Sequence, residues 1–352
     1  MITTLILSFF LAAAGQFQVP PDDDPLRLND EMKHFLDVNI AHSSDSLHQL
    51  QQLVQLVFQK NVLGFTYVQE TRTAIETFEK RGGNCISFTF LLIAMARHLE
   101  MDARYQEIEI APMWSRVGDF VSVNGHANVA VIIGGQKYVV DLFPQVNRIE
   151  IGGSIVSDNR AVAHFLNNRG VDRLSDDESQ LAMAYFRKAL EKDATADFAW
   201  VGMGVAQALN QELYEAEKSY KKALQLNRGN LIAMSDLAFL YRRMGRERDA
   251  ERYQAKVRAF QLKNPYYHFD LGLQAYRSGS YREALEFFKN ALKLKPSEHS
   301  FHLALARAYS QLGELEKAAN SLKMAMKYAP DESSKLRYNE KLALLATRRH
   351  SS

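Results

Sequence analysis

A single cysteine, Cys85, stands in 352 residues, which excludes an internal disulfide and any zinc site built on paired thiolates. An excess of one charge is missing too. The 43 Lys and Arg against 41 Asp and Glu leave a formal charge of +2, so the totals give no reason to expect nucleic acid or a strongly acidic partner. Long apolar stretches are absent: the run from Leu5 to Ala14 falls short of the roughly 20 residues that cross a bilayer, and no longer run follows. The glycine pairs at 82–83, 134–135 and 152–153 lack the lysine and downstream serine of a phosphate loop, so nucleotide binding is not supported. What remains, 47% apolar and 24% charged residues, is the composition of a folded chain long enough for two or three cores.

The first apolar run ends in Ala12, Ala13 and Ala14, the pattern of a secretory signal with a small-residue cleavage site. No Lys or Arg precedes it, which leaves a membrane-associating segment or a misplaced start as the other readings. Residues 1–18 are expected to be an export signal, touching a membrane only transiently, and the mature protein is expected in a bacterial periplasm or outside the cell. A polar, proline-punctuated linker is expected over 19–31.

From residue 163 the chain repeats. In 34-residue steps one position reads Ala182, Ala216, Ala250, Ala284, Ala318; another reads Gly170, Gly204, Ala238, Gly272, Ala306; a third reads Phe186, Tyr220, Gln254, Phe288, Leu322. Small residues recur where two helices of one unit approach closely, with a large residue filling the gap beside them. Gly245, Gly279 and Gly313 mark turns within units, and Pro296 and Pro330 mark boundaries between them. This pattern resembles the tetratricopeptide repeat, which implies an all-α solenoid that binds a protein or peptide. Five units are expected, 163–196, 197–230, 231–264, 265–298 and 299–332, closed by a capping helix and tail over 333–352.

The region 32–160 reads differently. Helices are expected within 32–58, 71–80 and from Asn84 or Cys85 to about Glu100, followed by strands over 103–110, 125–134 and 137–143. Gly134-Gly135 favours a tight hairpin, in which facing residues have numbers summing to 269, with Asp141 opposite Asn128. Cys85 then opens a helix, where unpaired N–H groups and the helix dipole stabilise a thiolate. The same position equally suits a small buried residue. A nucleophile needs a base. His98 lies thirteen residues along the same helix, about 20 Å away, and is excluded. His126 opens a strand, and Asp141 interrupts an apolar one, where a carboxylate needs a partner. Together they describe a site in which Asp141 holds the imidazole, His126 takes the thiol proton and Cys85 attacks an acyl carbon.

The segments GGNCISFTFLLIAMARHLEMDARY and GHANVAVIIGGQKYVVDLFP, in this order, resemble the transglutaminase-like superfamily, permuted relatives of papain-type cysteine peptidases. Cys85, His126, Asp141 and Pro144 match its motif over about 65–145. The resemblance implies an α+β domain, a Cys–His–Asp triad, and an oxyanion donor from a backbone amide plus an earlier side chain, for which Gln69 and Asn84 are the candidates. Nothing in the sequence marks the calcium sites of the large cross-linking enzymes, and neither a metal nor a cofactor is expected. Ile86 stands where an aromatic or basic residue is common, and Asn128 and Val129 stand where many members carry tryptophan nearby.

Other features weigh less. The segment 111–125, with Trp114 and Phe120, reads as a loop over the cleft or as core cover. Arg104 reads as structural, and His299 and His302 lack a third ligand for a metal. Arg242, Arg243, Arg246 and Arg248 are flanked by acids and read as a solvated face. Two functions remain: an acyl-transfer enzyme, peptidase or amidase rather than cross-linker, whose repeats hold a protein substrate; or a repeat scaffold with a degenerate transglutaminase-like domain. Cutting near residue 160 is expected to leave two independently folding pieces.

Overall fold

Helices in the front region begin where the sequence supplies a side-chain oxygen to cap them. Asn29 accepts from the Met32 amide before α1 (Asp30–Asn39), and Asp45 accepts from Leu47 and His48 before α2 (Ser46–Phe58). A two-residue strand β1 (Thr66–Tyr67) precedes α3 (Ala74–Glu79), which Thr73 and Glu76 close with a capping box. β2 (Gly82–Gly83) pairs in parallel with β1 and leads into α4 (Cys85–His98). Every residue of α4 from Ile86 to Ala96 is buried, as befits an apolar helix surrounded by other elements.

The computed structural model describes residues 19, 24–40, 45–110, 114–117, 120–123, 126–142, 150–329 and 332–350. The expected export signal at 1–18, Pro144 and Pro330 lie outside them. After α4 come β3 (Asp102–Ile110), β4 (Trp114–Val117), β5 (Phe120–Val123), β6 (His126–Ile133), β7 (Gln136–Val140) and β8 (Glu150–Ile155). Four of these form an antiparallel sheet in the order β7-β6-β3-β8. Ala103 and Tyr105 of β3, with Ala127, Val129 and Val131 of β6, share a core with α4. The β6–β7 hairpin turns at Gly134 and Gly135, with φ of +58° and +80°, and its pairs run from Val129↔Val140 to Ile133↔Gln136. That is the expected register. The segment 111–125, read as a loop over the cleft or as core cover, contains the antiparallel pair β4–β5, and β5 runs alongside a helix of the repeats.

The chain forms two compact units, Met1–Glu251 and Arg252–Ser352. In the first, α5 (Asp158–Ser175) and α6 (Ser179–Lys192) make the first helix pair, followed by α7 (Asp197–Leu209), α8 (Leu213–Leu226) and α9 (Leu231–Arg243). The division falls within α10 (Glu247–Gln261). The second unit holds α11 (Pro265–Arg277), α12 (Tyr281–Leu294), α13 (His299–Gln311), α14 (Leu315–Lys327) and α15 (Glu332–His350), around a core of Ala275, Ala284, Leu285, Phe288, Ala304 and Ala308. Among the described residues no helix is long and apolar enough to cross a membrane.

Boundaries expected at 160 and 163 both fall inside α5. The reason is packing: Phe165 of α5 meets Phe90 of α4 edge-on at 5.6 Å between ring centroids. One core runs from Met32 through Phe165 and Leu166 to Tyr185, Ala189, Ala196 and Ala199. The front domain and the first helix pair of the repeats share this core.

Within the repeats, glycine and aromatic ring pair off. A Cβ on Gly170 would come within 2.6 Å of the Phe186 ring, one on Gly204 within 2.7 Å of Tyr220, and one on Gly272 within 2.4 Å of Phe288. Where the small residue is Ala238 or Ala306, its counterpart is Gln254 or Leu322, so the ring appears only where the Cβ is missing. Turns recur at positive φ, +70°, +82° and +75° at Gly245, Gly279 and Gly313, but Asp177 and Gln211 take the same place in the first two units at +61° and +66°. The left-handed region disfavours a side chain. Asp177→Gly is expected to raise stability by up to about 1 kcal/mol, read as a higher midpoint in urea unfolding.

Candidate active site

Cys85 is the first residue of α4, half-buried, with one flank against the core. Asn84 fixes its position. The Asn84 carboxamide oxygen accepts from the backbone N–H and the hydroxyl of Ser87, both at 3.0 Å, and its Nδ2 donates to the Gln69 carbonyl at 3.1 Å and to Thr71 Oγ1 at 2.9 Å. Gly83 lets the chain enter this turn, because a Cβ there would lie 2.4 Å from Ser87 Cβ. The network continues outward: Ser87 Oγ accepts from the Arg72 N–H at 2.8 Å, and the Thr71 N–H donates to Asp172 of α5 at 3.0 Å. Burial raises the Asp172 carboxyl above its ordinary range, against the opposing pull of Thr71, Arg169 and Arg173.

Both amide hydrogens of Asn84 are thus taken. The Asn84 side chain caps α4, and Gln69, exposed, is tethered to it through its backbone carbonyl. Two tyrosines lie within electrostatic reach of Cys85. Burial, with the thiolate charge adding, raises the Tyr67 hydroxyl and pushes the buried Tyr105 hydroxyl well up.

The start of β6 meets the start of α4 through Thr89. Its hydroxyl donates to the Cys85 carbonyl at 2.8 Å and stands 3.5 Å from the carbonyl of Ala127. His126, described here by its backbone, is the first residue of β6 and pairs with Ile108. Asp141, buried, follows β7, and one of its oxygens accepts from Asn128 Nδ2 at 3.4 Å. This is the cross-strand neighbour the hairpin register requires. Asn128 in turn faces Gln106 of β3, and the carboxamide oxygens of both are buried without a hydrogen-bond partner among the described residues. Nothing in the sequence alone marks Thr89, Gln106 or Asp172 as part of this surround.

A second polar cluster joins the sheet to the repeats. Glu107 of β3 accepts from Arg160 Nε at 2.7 Å and bonds the His164 ring, while Arg160 also reaches Asp193 at 3.1 Å. The His164 ring stacks on Phe198 at 3.8 Å. Burial alone would raise the Glu107 carboxyl, but His164 and Arg160 outweigh it and hold the group below its ordinary value. A lowered folded pKa contributes stability that is complete above the unfolded value, about 4.3, and is lost as pH falls through the folded one. Glu107→Gln is therefore expected to be less stable at neutral pH, and to lose less stability than the parent protein on acidification to about pH 3, compared by urea unfolding.

The remaining charged features are structural. Arg104 pairs with Asp102 at 2.7 Å, and Arg246 bridges Glu217 and Asp249. His299 bonds the Tyr338 hydroxyl and His302 the Pro296 carbonyl, and among the described residues no group of three His, Cys, Asp or Glu side chains is placed to hold a metal.

Residues 36–141 match the family profile described as transglutaminase-like superfamily, while 236–297 and 275–338 match tetratricopeptide repeat profiles. The chain carries a transglutaminase-like domain followed by tetratricopeptide repeats. Anaphase-promoting complex subunit 3 of Schizosaccharomyces pombe is 24% identical over 157 residues, 45% of this chain and 24% of that protein. Protein O-mannosyl-transferase TMTC1 of Homo sapiens is 34% identical over 88 residues, 25% of this chain and 10% of that protein. The chain thus spans a quarter or less of the curated relatives it matches. Among solved structures, YrrB, described as a TPR protein with an unusual peptide-binding site, is 23% identical, with a TM-score of 0.27 over 51% of this chain and 92% of that one. MamA from Desulfovibrio magneticus RS-1 is 18% identical, with a TM-score of 0.28 over 49% and 96%. In the transglutaminase-like domain the profile match ends at Asp141, and it takes in Gln69, Cys85 and His126. The tetratricopeptide repeats suggest protein–protein interaction.

Proposed function

We propose that the transglutaminase-like domain cleaves amide bonds through Cys85, as a peptidase or amidase, in a protein or peptide that the repeats hold. Cys85 attacks the acyl carbon and forms a thioester; His126 takes the thiol proton and passes it to the departing amine; water then hydrolyses the thioester to the free acid and restores the thiol. Asp141 holds the imidazole. The Cys85 backbone N–H and Gln69 face the developing oxyanion. The proposed place of this work is the periplasm or the outside of the cell, a reading supported by the signal-like residues 5–14.

The observation that carries the reading is the position of Cys85: half-buried at the first turn of a buried helix, one hydroxyl away from the strand that His126 opens. A helix start of this kind favours the thiolate. The test is the pH dependence of Cys85 alkylation by iodoacetamide, with and without His126→Ala. A thiol pKa below about 7 that rises in the variant is expected. The core shared with α5 favours a second reading, in which the domain serves the repeats as an end cap and docking scaffold. A thiol reacting only near pH 8.5, the free value, with or without His126, would establish the scaffold in place of the enzyme.

A further inference from the structure

A directed chain of hydrogen bonds runs from the first helix of the repeats to the head of the cysteine helix. Asp172 of α5 accepts from the Thr71 N–H at 3.0 Å, Thr71 Oγ1 accepts from Asn84 Nδ2 at 2.9 Å, and Asn84 Oδ1 accepts from the Ser87 N–H at 3.0 Å. Thr71 and Ser87 have no solvent exposure and Asn84 almost none, so solvent cannot replace a partner lost from the chain. One turn earlier on α5, Arg169 donates to Glu76 at 2.5 Å. The same helix thus grips the segment 71–76 at both ends.

The direction of the chain is set at its far end, because a carboxylate only accepts. The Thr71 hydroxyl lowers the Asp172 acid against the effect of burial, as a hydroxyl does when its hydrogen points at the charge. Its lone pairs are then left for Asn84 Nδ2. With that amide group committed to Thr71 and to the Gln69 carbonyl, the Asn84 carboxamide presents its oxygen to the Ser87 amide in the first turn of α4. Turned over, it would aim donors at a donor. The acceptor on α5 therefore decides which end of Asn84 meets the helix that Cys85 opens. We propose that Asp172 is a positioning residue for Cys85, holding the head of α4 in order from the first helix of the repeats. The proposal rests on the reading that Cys85 is the nucleophile, and it extends the site to a residue beyond the family match over 36–141.

The test uses the full-length protein and two readouts: the pH profile of Cys85 alkylation by iodoacetamide, and hydrogen exchange of the Ser87 amide. Asp172→Ala is expected to raise the thiol pKa and to slow alkylation at pH 7 about fivefold to tenfold, the worth of a lost cap. Ser87 should exchange faster by a similar factor. The sign is informative, since removal of a nearby negative charge would by itself lower a thiol pKa. Asp172→Asn, which keeps an acceptor and loses the charge, should restore the parent profile. Thr71→Val removes the hydroxyl and leaves the backbone bond to Asp172, so it should reproduce Asp172→Ala, while Thr71→Ser should not. Combining Asp172→Ala with Thr71→Val should add little to either alone, because both interrupt one chain. Phe165→Leu, which loosens α5 away from the chain, should leave the thiol pKa as it is. A low thiol pKa in the parent that neither Asp172→Ala nor Thr71→Val raises overturns the positioning role and spares the nucleophile. Unchanged Ser87 exchange in both variants overturns that role as well. A thiol at the free value of about 8.5 in the parent overturns both.

Discussion

Phe165→Ala is expected to destabilise the first compact unit by about 3–5 kcal/mol, the usual cost of emptying a fully buried aromatic site. Phe165 has no solvent exposure, sits edge-on against Phe90 of the central helix, and lies under the Arg169 guanidinium at 5.5 Å. The informative part is where the loss is felt. Because one core runs from α4 into α5, α6 and α7, signals from the front domain and from the first repeats should shift together in urea. Phe288→Ala, equally buried against Gly272, should be confined to the second unit. If Phe165→Ala shifted the repeats and left the front domain's transition in place, the shared core would be wrong.

Cys85→Ser is expected to lower the acylation rate by at least about a thousandfold, measured as release of p-nitrophenol from p-nitrophenyl acetate and then on peptide amides. Its stability should stay within about 1 kcal/mol of the parent, since a helix start accommodates serine well. The Asn84, Ser87 and Thr71 hydrogen bonds that set the turn do not involve the thiol. His126→Ala should lower the rate and raise the thiol pKa together. Turnover that survives Cys85→Ser would end the proposed chemistry.

How far these features were legible in the sequence follows from which contacts are local. The hairpin register was readable because Gly134 and Gly135 impose a turn, and a turn of fixed length fixes every pair after it. The repeats were readable because a missing Cβ at Gly170, Gly204 and Gly272 demands a ring at a fixed distance along the chain. Cys85 at the head of a helix was readable from the glycines and Asn84 before it. The role of Asn84 was not. Its side chain spends both hydrogens on Gln69 and Thr71, partners brought beside it by the short β1–β2 pairing, which no periodicity announces. β8 was hidden because EIGGSI carries a glycine pair in place of strand-forming residues. The start of α5 was misplaced for a related reason: Phe165 and Asp172 look like ordinary repeat residues until the front domain is packed against them.

That double use of α5 limits how the molecule can be re-engineered. One face of the helix belongs to a repeat pair, while its Phe165 and Asp172 close the core and hold Thr71 beneath the cap of the cysteine helix. A transplant of the front domain onto a different set of repeats must carry α5, α6 and the start of α7 with it, or redesign every side chain along that seam. The natural point of grafting lies beyond Ala199, where the common core ends.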